Sequence, residues 1–165
     1  MAAAIQKISA AADRICLILA KLALAGICLT ILFQITLRYG LRSPPAWTEE
    51  LARYLMVWGG LLGAACAFRR GADPIIFQPG TTGKRRLFSL TCITICVVIF
   101  LGPVLYYSIF GLGMNIDRGF ITRSLARTSS GLGINLAIIG AAVPICCSLI
   151  LLHLAAMLTR KQSNE

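Results

Sequence analysis

Four apolar stretches, near residues 15–37, 48–68, 87–110 and 132–158, run through a chain of 165 residues and leave little sequence between them. A helix needs about 20 residues to cross a hydrocarbon layer of ~30 Å, and each stretch is close to that length. Inside the layer no water satisfies backbone N–H and C=O groups, so such a run is stable only as a helix bonded along its own length. The sequence therefore predicts an all-α integral membrane protein with four transmembrane helices and short interfacial amphipathic segments, organised as one membrane domain over residues 1–165. Composition agrees, since 58% hydrophobic and 13% charged residues are far from the balance of a soluble domain.

The first run contains Lys21, whose long stem can snorkel to the near interface. The second holds Arg53 and extends back to Thr48 in the headgroup zone. The first run ends in "FQITLRYG", with no small-residue cleavage site, so the first helix is expected to be retained. Residues 1–14 read as an amphipathic start lying on the inner surface, with Ile5 and Ile8 against lipid.

Basic residues set the expected orientation. One side carries Lys7, Arg14, Lys21, Arg69, Arg70, Lys84, Arg85, Arg86, Arg160 and Lys161; the other carries Arg38, Arg42, Arg53, Arg118, Arg123 and Arg127. The richer side is expected to be cytoplasmic, which places both termini of a multi-pass protein inside. The net charge of +10 points to anionic lipid headgroups, worth about 1 kcal/mol per basic side chain near the surface. Without an aromatic-basic module it does not point to nucleic acid.

The seven cysteines lie in or beside the apolar runs, and none forms a metal-type CxxC pair, so they read as small apolar packing residues. No nucleophile with its base and no phosphate-cradling glycine loop is present. The chain reads as a non-enzyme without cofactor or metal. The predicted helix centres hold mainly Leu, Ile, Val, Ala, Gly and Cys, which argues against a transport path within them. His153 reads as a residue of the inner interface. Gln34, Thr36, Thr91 and Thr94 are placed to hydrogen-bond between helices. Pro103 and Pro144 predict kinks, and in the outer segment Gly111 to Gly131, Ile121 and Leu125 with Arg118, Arg123 and Arg127 are compatible with either a short interfacial helix or an irregular loop.

The densest polar signal is "AWTEELARY", Ala46 to Tyr54. Trp47 suits the headgroup layer, Thr48 reads as an N-cap, and Glu49 and Glu50 follow at the positive end of the helix dipole. Glu49 and Arg53 are four apart and can pair on one face. Glu50 lies about 100° further round the helix. It is compatible with capping, with a contact to a partner or to the segment containing Arg38 and Arg42, or with a coupling ion. Beyond it Gly59, Gly63 and Ala67 form a small-residue strip for helix packing, internal or between subunits.

"RY", a short Pro-containing connection, "WTEELARY", a Trp- and Gly-rich run and then "RRG" together resemble the small membrane subunit of tripartite ATP-independent periplasmic transporters, the DctQ-like family. The resemblance is most specific over residues 38–71. It departs after "RRG": Asp73 stands where the family usually has His, and Phe77 where a carboxylate is common. The resemblance implies a chain that binds and stabilises a large many-helix permease subunit (DctM-like). That subunit uses an ion gradient to take up an organic acid delivered by an extracytoplasmic solute-binding protein (DctP-like). On this reading Arg38, Trp47, Glu49, Glu50 and Arg53 are partner-interface or interfacial ion-pair residues, and Gly59, Gly63 and Ala67 pack helices. The alternatives are a self-contained homo-oligomeric channel and the small subunit of a tricarboxylate-type tripartite carrier, against which "WTEEL" argues.

Overall fold

A computed structural model describes residues 2–40, 42, 45–72, 83–110, 116 and 119–162. Asp73, Phe77 and Arg118 lie outside the described residues, as do the side chains of Lys84, Arg85, Arg86, Arg160 and Lys161. The described chain is helical, with no strand beyond an isolated bridge between Thr128 and Asn135. Four helical stretches are long and apolar enough to cross a membrane: Ala3–Gly40, Ala46–Arg70, Phe88–Ile109 and Ala137–Thr159. The fold class is that of an all-α integral membrane protein.

Helix α1 spans Ala2–Gly40 without a break, so residues 2–14 continue the first span instead of forming a separate surface segment. The reason is local. Ala2–Ala4 and Ala10–Ala12 are the strongest helix formers, and neither Gly nor Pro interrupts the run before Gly26. Helix α2, Ala46–Arg70, begins directly after Pro45 and ends at Gly71, whose left-handed φ of 62° closes the last turn. Ala72 N–H bonds to the Ala67 carbonyl at 3.0 Å, and Gly71 N–H to that of Phe68 at 3.3 Å. This is the Schellman arrangement, which Gly alone adopts without strain.

α1 and α2 are antiparallel neighbours, and their contacts step along both helices. Gln34 meets Glu49, Gly26 meets Leu55, Ala23 meets Gly59, and Asp13 meets Arg70. At 1.5 Å per residue, α2 is about 37 Å long and α1 about 58 Å. Residues 2–12 therefore run on past the C-terminal end of α2.

Helix α3, Gly83–Ile109, contains Pro103 and packs chiefly on α6, Ala142–Gln162, and on the short α4, Phe120–Leu125. α4 is the helical one of the two forms compatible with the outer segment. The last apolar stretch is divided: α5, Ala137–Gly140, gives way to α6 at Ala141. Pro144 accounts for the division, because it has no N–H to offer the Gly140 carbonyl one turn back.

α1, α2 and α6 enclose the core, where Cys16, Leu62, Cys66 and Cys146 pack with Leu17, Trp58, Leu61 and Leu149. The buried cysteines are free thiols acting as small apolar side chains. Cys28, Cys92 and Cys96 sit on outward faces. Large apolar side chains such as Leu24, Leu29, Leu32, Phe88, Ile99 and Phe100 also face outward, as a chain solvated by lipid or by another membrane protein requires.

Candidate functional site

Polar side chains gather at the two ends of the three-helix core. At the end where α2 begins, Pro45 occupies the N-cap and bonds no helix N–H through its side chain. Thr48 is the third helical residue, not the cap. It is 0% exposed, and its hydroxyl donates to the Pro45 carbonyl at 2.7 Å. The chain break that Thr48 signals in the sequence has already been made by proline.

Glu50 holds the loop between α4 and α5. Its Oε2 accepts the Gly131 N–H at 2.9 Å and the Leu132 N–H at 3.1 Å, while the Tyr54 hydroxyl donates to Oε1. Both carboxylate oxygens are thus engaged within the chain, eighty residues apart in sequence, and no cation is needed to satisfy them. The loop is shaped for this contact. Ser129 N–H bonds to Ile134 O at 2.8 Å, Leu136 N–H to Arg127 O at 3.0 Å, and Gly133 takes a φ of 66°. A Cβ on Gly131 would lie 2.6 Å from Glu50 Oε2 and 3.3 Å from the Trp47 Cα, so only glycine lets the loop come this close.

The other expected residues of this end have simpler roles. Glu49 accepts from Gln34 Nε2 at 3.0 Å, joining α1 to α2. Among the described residues the ion pairs lie elsewhere, at Asp13, so Glu49 and Arg53 are not paired. Trp47 packs its ring 5.9 Å from that of Phe33. Arg38 is exposed in the last turn of α1, where its charge complements the helix dipole. Thr36 and Thr94 bond back to their own helices, at Leu32 and Leu90. Beside the Glu50 contact, a recess of about 430 Å³ is lined by Tyr54, Phe120, Arg123, Arg127, Ile139 and Val143 among others.

The glycine strip divides between two faces. Gly59 faces inward, where a Cβ would sit 3.2 Å from that of Ala23. Gly60 and Gly63 have open space where a side chain would be. With Gly59, Ala20, Lys21, Leu24, Ile27 and Met56 they line a groove of about 400 Å³ on the outside of the α1–α2 pair. Ala67 is half-buried near the end of α2.

The opposite end of the core holds a cluster that the sequence reading did not assemble. Asp13 Oδ2 pairs with Arg69 at 2.9 Å and Arg70 at 3.1 Å; the aspartate side chain is 8% exposed and the arginines 31% and 47%. Cys66 Sγ reaches the Asp13 carbonyl at 3.6 Å. His153 is 2% exposed, with Nδ1 2.8 Å from Ser9 Oγ, so it is a core residue joining α6 to α1 and not a side chain lying free at the interface. One signal was available: Asp13 is the only acid before Glu49, and an acid leading into an apolar helix implies a basic partner. Arg69 and Arg70 end the antiparallel neighbour.

The family described as "Tripartite ATP-independent periplasmic transporters, DctQ component" matches residues 27–164. The chain is also 31% identical over 84 residues to the sialic acid TRAP transporter small permease protein SiaQ of Vibrio cholerae, a match covering 50% of this chain and 49% of that protein. It thus spans about half the length of this curated relative.

Proposed function

Because this chain belongs to the DctQ component family of tripartite ATP-independent periplasmic transporters, we propose that it is the small permease subunit, binding and stabilising a large many-helix permease. It is a multi-pass inner-membrane protein. In the proposed assembly the large subunit uses an ion gradient to take up an organic acid, which an extracytoplasmic solute-binding protein delivers.

The observation that carries this reading is the separation of polar ends from an apolar middle. Between the Glu50 contact and the Asp13 cluster, the interior of α1, α2 and α6 is filled by side chains such as Cys16, Leu62, Ala65, Cys66, Ala142 and Cys146. A solute or ion crossing the membrane needs polar lining at mid-depth, and these packed residues offer none. That supports an accessory role over a self-contained channel. The basic residues favour an arrangement with the Asp13 end at the cytoplasmic surface, both termini inside, and the Glu50 end outside.

Proteoliposomes test the reading: this chain alone should conduct no ions and take up no solute, and uptake should appear only with the large subunit and a loaded binding protein. Conductance by the chain alone would overturn it.

The open groove at Gly60 and Gly63 is the proposed seat for a helix of the large subunit, since small residues permit close approach. A Cβ at Gly63 meets nothing within 4 Å, so Gly63→Leu fills the groove without forcing α1 from α2. It should leave the thermal stability of the isolated subunit unchanged and weaken the complex. Gly59→Leu should force α1 from α2 and lower the stability of the subunit itself by about 1–3 kcal/mol, the usual cost of overpacking. Equal effects of the two variants on the isolated subunit would remove the groove from the interface.

A further inference from the structure

The Asp13 cluster borders a cavity of about 450 Å³, lined by Gln6, Ser9, Phe68, Met157 and the charged residues already described. Asp13 and His153 line it, and Asp13 Oδ1 and His153 Nε2 are buried with no hydrogen-bond partner among the described residues. Orphaned atoms of this kind carry a desolvation cost unless something else bonds to them. The cavity is also many times the roughly 30 Å³ that a water molecule occupies.

We propose that this cavity binds the headgroup of an anionic phospholipid whose phosphate ester carries a free hydroxyl. The inference does not depend on the accessory-subunit reading. Arg69 and Arg70 share one carboxylate, so the cluster holds one positive charge more than it neutralises. Both arginines spend contacts on Asp13 Oδ2 and keep further N–H donors, which in a planar guanidinium suit phosphate oxygens. Asp13 Oδ1 accepts only, so it calls for a donor, and a headgroup hydroxyl is one. The Ser9 contact at Nδ1 leaves His153 Nε2 either an N–H or a lone pair, and a hydroxyl bonds to both forms.

The location favours a lipid over a soluble phosphate ester. Arg69 and Arg70 end a helix about 37 Å long, which puts them at the headgroup level of whichever leaflet they meet. Phe68, Ala156 and Met157 give the cavity an apolar wall beside its polar one, matching the boundary between glycerol backbone and acyl chains.

The test is native mass spectrometry of the full chain, extracted in mild detergent with the partners it retains. It is equilibrated with phosphatidylglycerol, phosphatidylmethanol or phosphatidylcholine. Phosphatidylglycerol should be retained above phosphatidylmethanol, which has the charge without the hydroxyl, and above phosphatidylcholine. Arg70→Gln leaves the Arg69–Asp13 pair in place and should lower phosphatidylglycerol retention about fivefold, the worth of one basic side chain at an anionic surface. Asp13→Ala, which removes the acceptor, should reduce the preference over phosphatidylmethanol. Equal retention of phosphatidylglycerol and phosphatidylmethanol would overturn the hydroxyl recognition. Equal retention of all three lipids, or an Arg70→Gln protein that matches the parent, would overturn the site. Displacement of the lipid by millimolar glycerol phosphate would overturn the lipid as its ligand.

Discussion

Replacing Arg69 and Arg70 together with Gln is expected to destabilise the subunit by about 3 kcal/mol, the scale for leaving a buried charge without its partner. The loss should appear as a fall of roughly 10 °C in the unfolding midpoint of the solubilised protein. Asp13→Asn should cost about 1 kcal/mol or less, near the value of a solvated ion pair. The asymmetry follows from burial. Asp13 is 8% exposed, so its carboxylate stays largely shielded when its cations are removed, whereas both arginines are partly exposed and can turn outward when the carboxylate is lost. Circular dichroism melts of the parent and the two variants measure the difference. A larger loss for Asp13→Asn than for the double arginine variant would contradict this account of the cluster.

The second large effect is expected at the other end. Glu50→Ala removes the acceptor for Gly131 N–H and Leu132 N–H and the partner of Tyr54, yet touches no residue of the core. The helices should remain folded while the loop over residues 127–136 detaches. Hydrogen exchange at Gly131 and Leu132 should accelerate by about tenfold or more, as expected when amides lose charged acceptors. Trypsin should also cut faster after Arg123 and Arg127. Glu50→Gln keeps an acceptor oxygen and should fall between. Glu49→Ala should leave loop exchange unchanged, since its bond goes to Gln34 on α1. Unaltered exchange in Glu50→Ala would mean that the loop is held by its own turn.

The membrane class and the four spanning helices were legible because length and hydropathy are one-dimensional properties of a chain, and the bilayer's thickness fixes the length. A contact of Glu50 beyond its own helix was expected from the sequence, since a first helical turn has use for one acid and "TEE" supplies two. Its partners were not. Apart from Tyr54 one turn on, they are backbone amides of Gly131 and Leu132, eighty residues away, and backbone groups leave no mark in side-chain pattern. Glycine at 131 is a trace of the contact, but thirteen other glycines beside Gly131 and Gly133 share its ambiguity.

The Asp13 cluster was hidden for another reason. Its members come from α1, α2 and α6, and only the antiparallel stepping of α1 on α2 aligns residue 13 with residues 69 and 70. Sequence spacing cannot supply that alignment, because a helix pair leaves its offset open until side chains such as Gly26 against Leu55 and Gly59 against Ala23 fix it. The same strip shows why Gly59 and Gly63 read alike in the sequence and differ in the fold. They lie one turn apart, and the crossing of α1 over α2 covers the first and leaves the second open.

The central claim is that this chain works as a subunit. Its most direct test is to tag the C-terminus, extract the protein gently from native membranes, and identify what purifies with it in stoichiometric amount. The account predicts a large many-helix permease at one copy per chain. A symmetrical assembly of this chain alone would contradict it, and Glu50 and its loop would then belong to the mouth of a channel.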